Sequence, residues 1–385
     1  MGLENSRRRL LKIIAGAILS IISGVFGSTN NIAKSKKTRK YININKTSIL
    51  SKISLPEAGP WPVEDPFLFC VHHNDNYPAA KDDLSPNVSL SGRHLGNDFS
   101  NKDGWSMYHG QKVPGFPRHP HRGFETLTVV NKGFIDHADS LGASARYGDG
   151  DAQWLTAGGG INHSEMFPLF RQNRKNKLDF FQIWLNLPSH NKMVEPNFEM
   201  YWEDEIPKVS SNLSGNKNVQ VEIITGDYLE FSSPIAPKNS WASNKKNDVA
   251  VWIIRLDRNG KFAIPDTKSG ASRNLYVLKD SSIEIDGQSI SGGSMITLDS
   301  SKSTVIKNLG SKIKILMLQG VPINEPVIKY GPFVMNTRSE IEQAFYDYNR
   351  TEFGGWKWGN SDPVHGTEPE KFAKLISGKI IKPGK

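Results

Sequence analysis

A single cysteine, Cys70, stands in a chain of 385 residues, so no intramolecular disulfide can form. Cys70 sits in the apolar run Pro66-Phe-Leu-Phe-Cys-Val and reads as inert core rather than a reactive thiol. Long apolar stretches are equally scarce. Beyond Ile13 to Phe26 nothing is long and apolar enough to cross a bilayer, and that stretch is itself short for a span. Histidine is missing from residues 191–364, which excludes an imidazole-rich metal site in that half. No glycine-rich phosphate loop and no nucleophile triad is present. The body of the chain also lacks excess positive charge. Residues 1–52 carry eleven Lys or Arg against one acid, Glu4; with the whole chain at +9, residues 53–385 hold −1. The basic pI therefore belongs to the N-terminal segment, and no nucleic-acid partner is expected.

That segment is built as a targeting signal. Ser6-Arg-Arg-Arg-Leu-Leu-Lys precedes a mildly hydrophobic stretch rich in Gly, Ala and Ser, with small residues near Gly27. The pair Arg7-Arg8 resembles a twin-arginine signal, the bacterial route that exports folded proteins. Residues 1–27 are expected to be removed, 28–59 to form a basic polar linker, and the mature protein to be periplasmic. The lone cysteine agrees with folding completed in the cytoplasm before export.

Two short segments carry the chemistry: His119-Pro-His121-Arg-Gly-Phe-Glu-Thr and Gly160-Ile-Asn-His163-Ser-Glu165. Side chains two apart on a strand share a face, so each segment aims two potential ligands at one point. Three imidazoles and a carboxylate make a mixed N/O set suited to a divalent first-row metal. The turn signals Asn131-Lys-Gly, Gly148-Asp-Gly and Gly158-Gly-Gly bound short β-branched runs and predict an all-β meander that can bring the pairs together. Glu125 competes with Glu165: strand parity puts it on the histidine face, but on a straight strand it lies about 13 Å past His121. His137, Asp139 and Gln182 are candidates to back the ligands or wall the pocket, His137 and Asp139 equally to organise the turn at Asp136 to Ser140. Gln182, Trp184 and Asn186 share one strand face.

Gly115-Phe-Pro-Arg-His-Pro-His-Arg-Gly-Phe-Glu-Thr, Asp136-His-Ala-Asp-Ser and Gln153-Trp-Leu-Thr-Ala-Gly together resemble the pirin family of the cupin superfamily. The likeness continues through Phe181-Gln-Ile-Trp-Leu-Asn-Leu-Pro and Tyr330-Gly-Pro-Phe-Val-Met-Asn-Thr. It implies two tandem cupin (jelly-roll-like) β-barrels, with one metal in the first. It places the ligands on His119, His121, His163 and Glu165, and favours Glu165 over Glu125. It further implies one divalent ion, Fe(II) first, with Mn, Ni or Cu also suited to the donor set. The activity implied is oxygenation of a flavonol such as quercetin by O₂, with Glu165 as proton acceptor and Phe124, Trp154 and Trp184 as pocket walls. The alternative is a non-enzymatic, metal-dependent binding or regulatory protein acting through protein partners. A monomer is expected, with the twin-arginine machinery and a small aromatic substrate as partners.

The expected organisation is a metal-binding barrel over 60–205, a metal-free barrel over 206–335, and a helix with tail over 336–385. Residues 74–112 read as a polar insertion able to form a rim or lid. Asp286-Gly287 predicts a hairpin. Thr337-Arg-Ser-Glu340 predicts a capping box opening an amphipathic helix with Ile341, Ala344, Phe345 and Tyr348 on its packed face.

Overall fold

The computed structural model describes residues 47–210, 218–279 and 281–384. The signal features, Arg7 and Arg8 among them, lie outside the described residues. Strands dominate: β1 (Ile49–Ser54), β2 (Phe67–Tyr77), β3 (Gly115–His121), β4 (Phe124–Lys132), β5 (Phe134–Asp139), β6 (Ser144–Gly148), β7 (Ala152–Thr156), β8 (Ile161–Met166), β9 (Asn176–Asn186) and β10 (Asn197–Tyr201) come first. The five-stranded sheet β10-β7-β4-β9-β2 faces a second sheet containing β6-β5-β8-β3, and the two enclose the first barrel. Among the described residues, fourteen further strands between Lys208 and Met335 are followed by one helix, α1 (Arg338–Thr351).

Alternation along β9 shows how one strand serves two interfaces. Leu178 and Phe180 point into the first barrel, among Tyr77, Val130, Tyr147 and Phe167. Phe181, Ile183 and Leu185 point the other way, against Val251, Ile253, Leu316 and Leu318 of the second barrel. With a strand period of two, this buries both faces. The second barrel joins a seven-stranded to a four-stranded sheet. Its interior is filled by aliphatic and aromatic side chains including Val221, Trp252, Phe262, Ile296 and Met317. Filled space of this kind is packed core rather than a binding cavity.

Both chain ends depart from the expected layout. Ile49–Ser54 is not linker: it pairs antiparallel with Ser294–Leu298 and forms an edge of the second barrel's large sheet. The tail returns to the first barrel, where Phe372–Lys374 extends the sheet beside β6. Linker composition hid the first pairing because the basic run ends just before Ile49, and the short alternating strand has no local partner. The hairpin forms at Asp286-Gly287, with φ of 51° and 75°. Thr337 and Glu340 make the capping box reciprocally. Cys70 is fully buried, and burial raises its thiol pKa.

Candidate metal centre

Strands β3 and β8 run antiparallel with His119 directly opposite His163. Strand parity then turns His121 and Glu165 to the same side. The imidazole centroids lie 4.4 Å (His119–His163), 4.8 Å (His119–His121) and 4.9 Å (His121–His163) apart. One ring nitrogen from each lies within 4.8 Å of the others. Glu165 Oε2 is 4.0 Å from His163 Nε2. Burial depresses all three imidazoles, His119 to about 4 and the other two well below their ordinary value. They are therefore neutral at physiological pH, with lone pairs free to ligate.

The cluster fits a cation on its own evidence. His163 is fully buried, yet neither of its ring nitrogens has a hydrogen-bond partner. Leaving a buried polar atom unpaired costs about 1–3 kcal/mol, which an ion would remove. Nδ1 of His119 is 2.9 Å from the Pro117 carbonyl, which fixes its proton there and leaves the Nε2 lone pair available to a ligand. Glu165 is oriented by neighbours on the facing sheet. The Thr128 hydroxyl lies 3.2 Å from its Oε1, and Gln182 Nε2 lies 3.3 Å from its Oε2. The same hydroxyl lies 2.8 Å from Gln182 Oε1, and its single hydrogen serves one of the two acceptors at a time. Burial pushes the Glu165 carboxyl up, while these bonds favour its charged form.

His137 and Asp139, on β5, pair in register with Glu165 and His163. His137 Nε2 is 3.1 Å from Asp139 Oδ2, and its ring centroid is 5.6 Å from that of His163. Asp139 also accepts the N–H groups of Leu141 and Ala143, so it shapes the turn as well. Neither lines the cavity.

That cavity, about 80 Å³ in volume, opens beside His119, His121 and Glu165. Phe69, Val71, Gln182 and Trp184 form one wall, Phe116 and His73 another, and Gly331-Pro332 a third. Trp184 stacks on Phe69 at 4.6 Å and meets His121 edge-on at 5.4 Å. Phe124 stands behind this wall, 4.4 Å from Trp184 between centroids. Of the shared strand face, Asn186 serves elsewhere: it accepts from the buried Lys192, which also donates to the Gly123 and Val334 carbonyls.

Two expected residues lie away from the cavity. Glu125 accepts hydrogen bonds from Thr156 at 2.7 Å and Ser240 at 2.6 Å, on the barrel–barrel side. Trp154 is buried in the same interface cluster. Parity fails for Glu125 because the chain turns at Gly123, with φ 86°, between the end of β3 and the start of β4. The turn resets the faces: Phe124 and Thr128 point toward the site, Glu125 and Leu127 away. The sequence reading missed Phe69, Val71, His73 and Phe116. Phe116 enters the wall through a register shift between Phe116 and His119, which simple alternation does not anticipate.

The pirin family model matches residues 64–185, and that of the pirin C-terminal cupin domain matches residues 251–354. The chain belongs to the pirin family. Human pirin is 34% identical to it over 251 residues, covering 64% of this chain and 80% of the human protein. Pirin-like protein 2 of Arabidopsis thaliana is 34% identical over 249 residues, 61% of this chain and 70% of its own. Among solved structures, quercetin 2,3-dioxygenase from Acinetobacter baumannii superimposes with a TM-score of 0.63 and 25% identity, over 80% of this chain and 99% of that one. Relative to the pirin models, the β1 strand and the tail beyond residue 354 lie outside the matched regions.

Proposed function

We propose that this pirin is an exported metalloprotein that oxygenates a flavonol or catechol-type substrate with O₂, using one mononuclear metal, Fe(II) first, held by His119, His121, His163 and Glu165. The observation that carries the reading is the aromatic-walled cavity opening directly onto three neutral, converging imidazoles. A bound divalent metal would supply a Lewis-acidic centre for vicinal substrate oxygens and a site for O₂. The protein's own groups do the rest. Phe69, Trp184 and Phe116 accept a flat ring and keep water off it. Thr128 and Gln182 hold the Glu165 carboxylate in place, from where it can take a substrate proton. The fold shared with a quercetin 2,3-dioxygenase supports this assignment. Export by the twin-arginine route rests on the Ser6-Arg-Arg motif and the apolar stretch that follows.

The deciding experiment measures metal and O₂ uptake on protein recovered from the periplasmic fraction. About one equivalent of first-row metal per chain, with quercetin-dependent O₂ consumption, is expected. Recovery only from the cytoplasm would overturn export. Metal-loaded protein that consumes no O₂ with quercetin or catechols would turn the reading toward binding through protein partners.

A further inference from the structure

The insertion between β2 and β3 brings a second polar device to the same cavity. Its residues Ala80, Trp105, Met107 and Tyr108 pack into the first barrel's core, and Phe99 closes over Tyr108 at 5.4 Å and toward Phe116 at 6.4 Å between centroids. Tyr108 has φ of 55°, a conformation bulky side chains rarely adopt. The surroundings over-determine it: its N–H and carbonyl both bond to the backbone of Asp98, at 2.8 and 2.7 Å, and Asp98 is itself paired with Arg93.

The hydroxyl so placed connects two residues of β2. It donates to Asp75 Oδ2 at 2.8 Å and lies 2.8 Å from His73 Nδ1. The other Asp75 oxygen accepts the Ser106 N–H at 2.9 Å. Hydrogen counting settles the direction. An ionised Asp75 only accepts, so the single tyrosine hydrogen goes to it. The phenolic oxygen must then accept Nδ1–H from His73, which leaves the lone pair on Nε2. His73 lines the cavity, its ring stacked on Phe180 at 4.5 Å and edge-on to Phe116 at 5.9 Å. Burial raises Asp75 to about 6 and lowers His73 to about 3, so near neutral pH the carboxylate is charged and the imidazole is not.

We propose that His73, oriented by Tyr108 and Asp75, determines specificity by offering Nε2 as a fixed acceptor for a substrate hydroxyl remote from the oxygens that face the histidine cluster. This rests on the function proposed above. It selects polyhydroxylated aromatics: a ring edge without a donor at that point leaves a buried acceptor unpaired, a discrimination larger than that of shape alone.

The test compares quercetin with 3-hydroxyflavone, which share the 3-hydroxyl and 4-carbonyl and differ in the remaining hydroxyls. Dissociation constants are read by absorbance titration on the metal-loaded full chain. Wild type is expected to prefer quercetin by about tenfold, and His73→Phe to lose most of that preference while binding 3-hydroxyflavone within about twofold of wild type. His73→Gln, which restores an acceptor, should recover part of it, and Tyr108→Phe should lower it without changing the fold by circular dichroism. A preference that survives in His73→Phe overturns the role of His73. So does a wild-type ¹⁵N spectrum showing His73 protonated at Nε2 at pH 7.5, a result that needs no ligand. Wild type that binds neither flavonol overturns the proposed function itself.

Discussion

Two glutamates with similar sequence credentials separate on what surrounds them. Glu165 stands beside His163 under Thr128 and Gln182, whereas Glu125 is sealed between the barrels with Thr156 and Ser240. Glu165→Gln is therefore expected to lower metal content at least tenfold, while Glu125→Gln leaves it at wild-type level; metal analysis of the two purified variants decides. Burial raises Glu125 to about 7 from 4.5, so the unfolded chain ionises first and stability falls as pH rises between those values. Removing that charge should stabilise the protein at pH 8. The site histidines act in the opposite sense. Their folded pKa values are depressed, so below about 6.5 the unfolded chain takes up protons that the folded chain refuses. Each contributes a slope of about 1.4 kcal/mol per pH unit within its window. Three histidines outweigh one carboxylate, and the metal-free protein should be markedly less stable to urea at pH 5 than at pH 7.5. An unchanged midpoint would contradict their burial as neutral groups. The ligand pairs were legible in the sequence because i, i+2 spacing needs only a strand. Glu125 was misleading because parity holds only until the strand turns.

The turn at Gly123 is the element that sets this geometry. A Cβ built there would lie 1.9 Å from the Val334 carbonyl, and the φ of 86° disfavours any side chain. Val334 also donates its N–H to the Arg122 carbonyl, and Lys192 ties Gly123, Asn186 and Val334 together from inside. Gly123→Ala should cost about 2–3 kcal/mol in urea denaturation and weaken metal binding, because the displaced turn carries His121 with it. A stable variant with full metal affinity would show that the turn is adaptable. Local signals of this kind were readable elsewhere: the Asp286-Gly287 hairpin and the Thr337 capping box depend on residues a few positions apart. Most of the cavity wall was not: Trp184 was expected there, but Phe69, Phe116 and Pro332 join it only through the barrel closure.

At the scale of the whole molecule, the tail is part of the metal-bearing barrel. Arg146 forms a buried ion pair with Asp136 at 2.7 Å and donates to the Gly366 and Glu368 carbonyls, while His365 Nε2 lies 2.7 Å from the His137 carbonyl. Trp358 Nε1 donates to the Asp139 carbonyl at 2.8 Å. Ending the chain after Gly355 would strand the Asp136–Arg146 pair's outer bonds and open the edge of β6. The truncated protein is expected to lose about 3–5 kcal/mol and to release metal faster, by denaturation and chelator competition. Retention of both would make the tail a surface ornament. Two barrels were foreseeable from the family likeness. The crossing of the ends was not, because strand pairings hundreds of residues apart leave no local trace.

That crossing has a consequence for how the protein comes into being. The strand Ile49–Ser54 waits for Ser294–Leu298, and Ser144–Gly148 waits for Phe372–Lys374. An emerging nascent chain therefore carries Ile49–Ser54 without its partner until Ser294–Leu298 is made, and the edge of β6 stays open until Phe372–Lys374 follows. Each of those edges is thus exposed through most of synthesis and is sealed only by a segment made long after it.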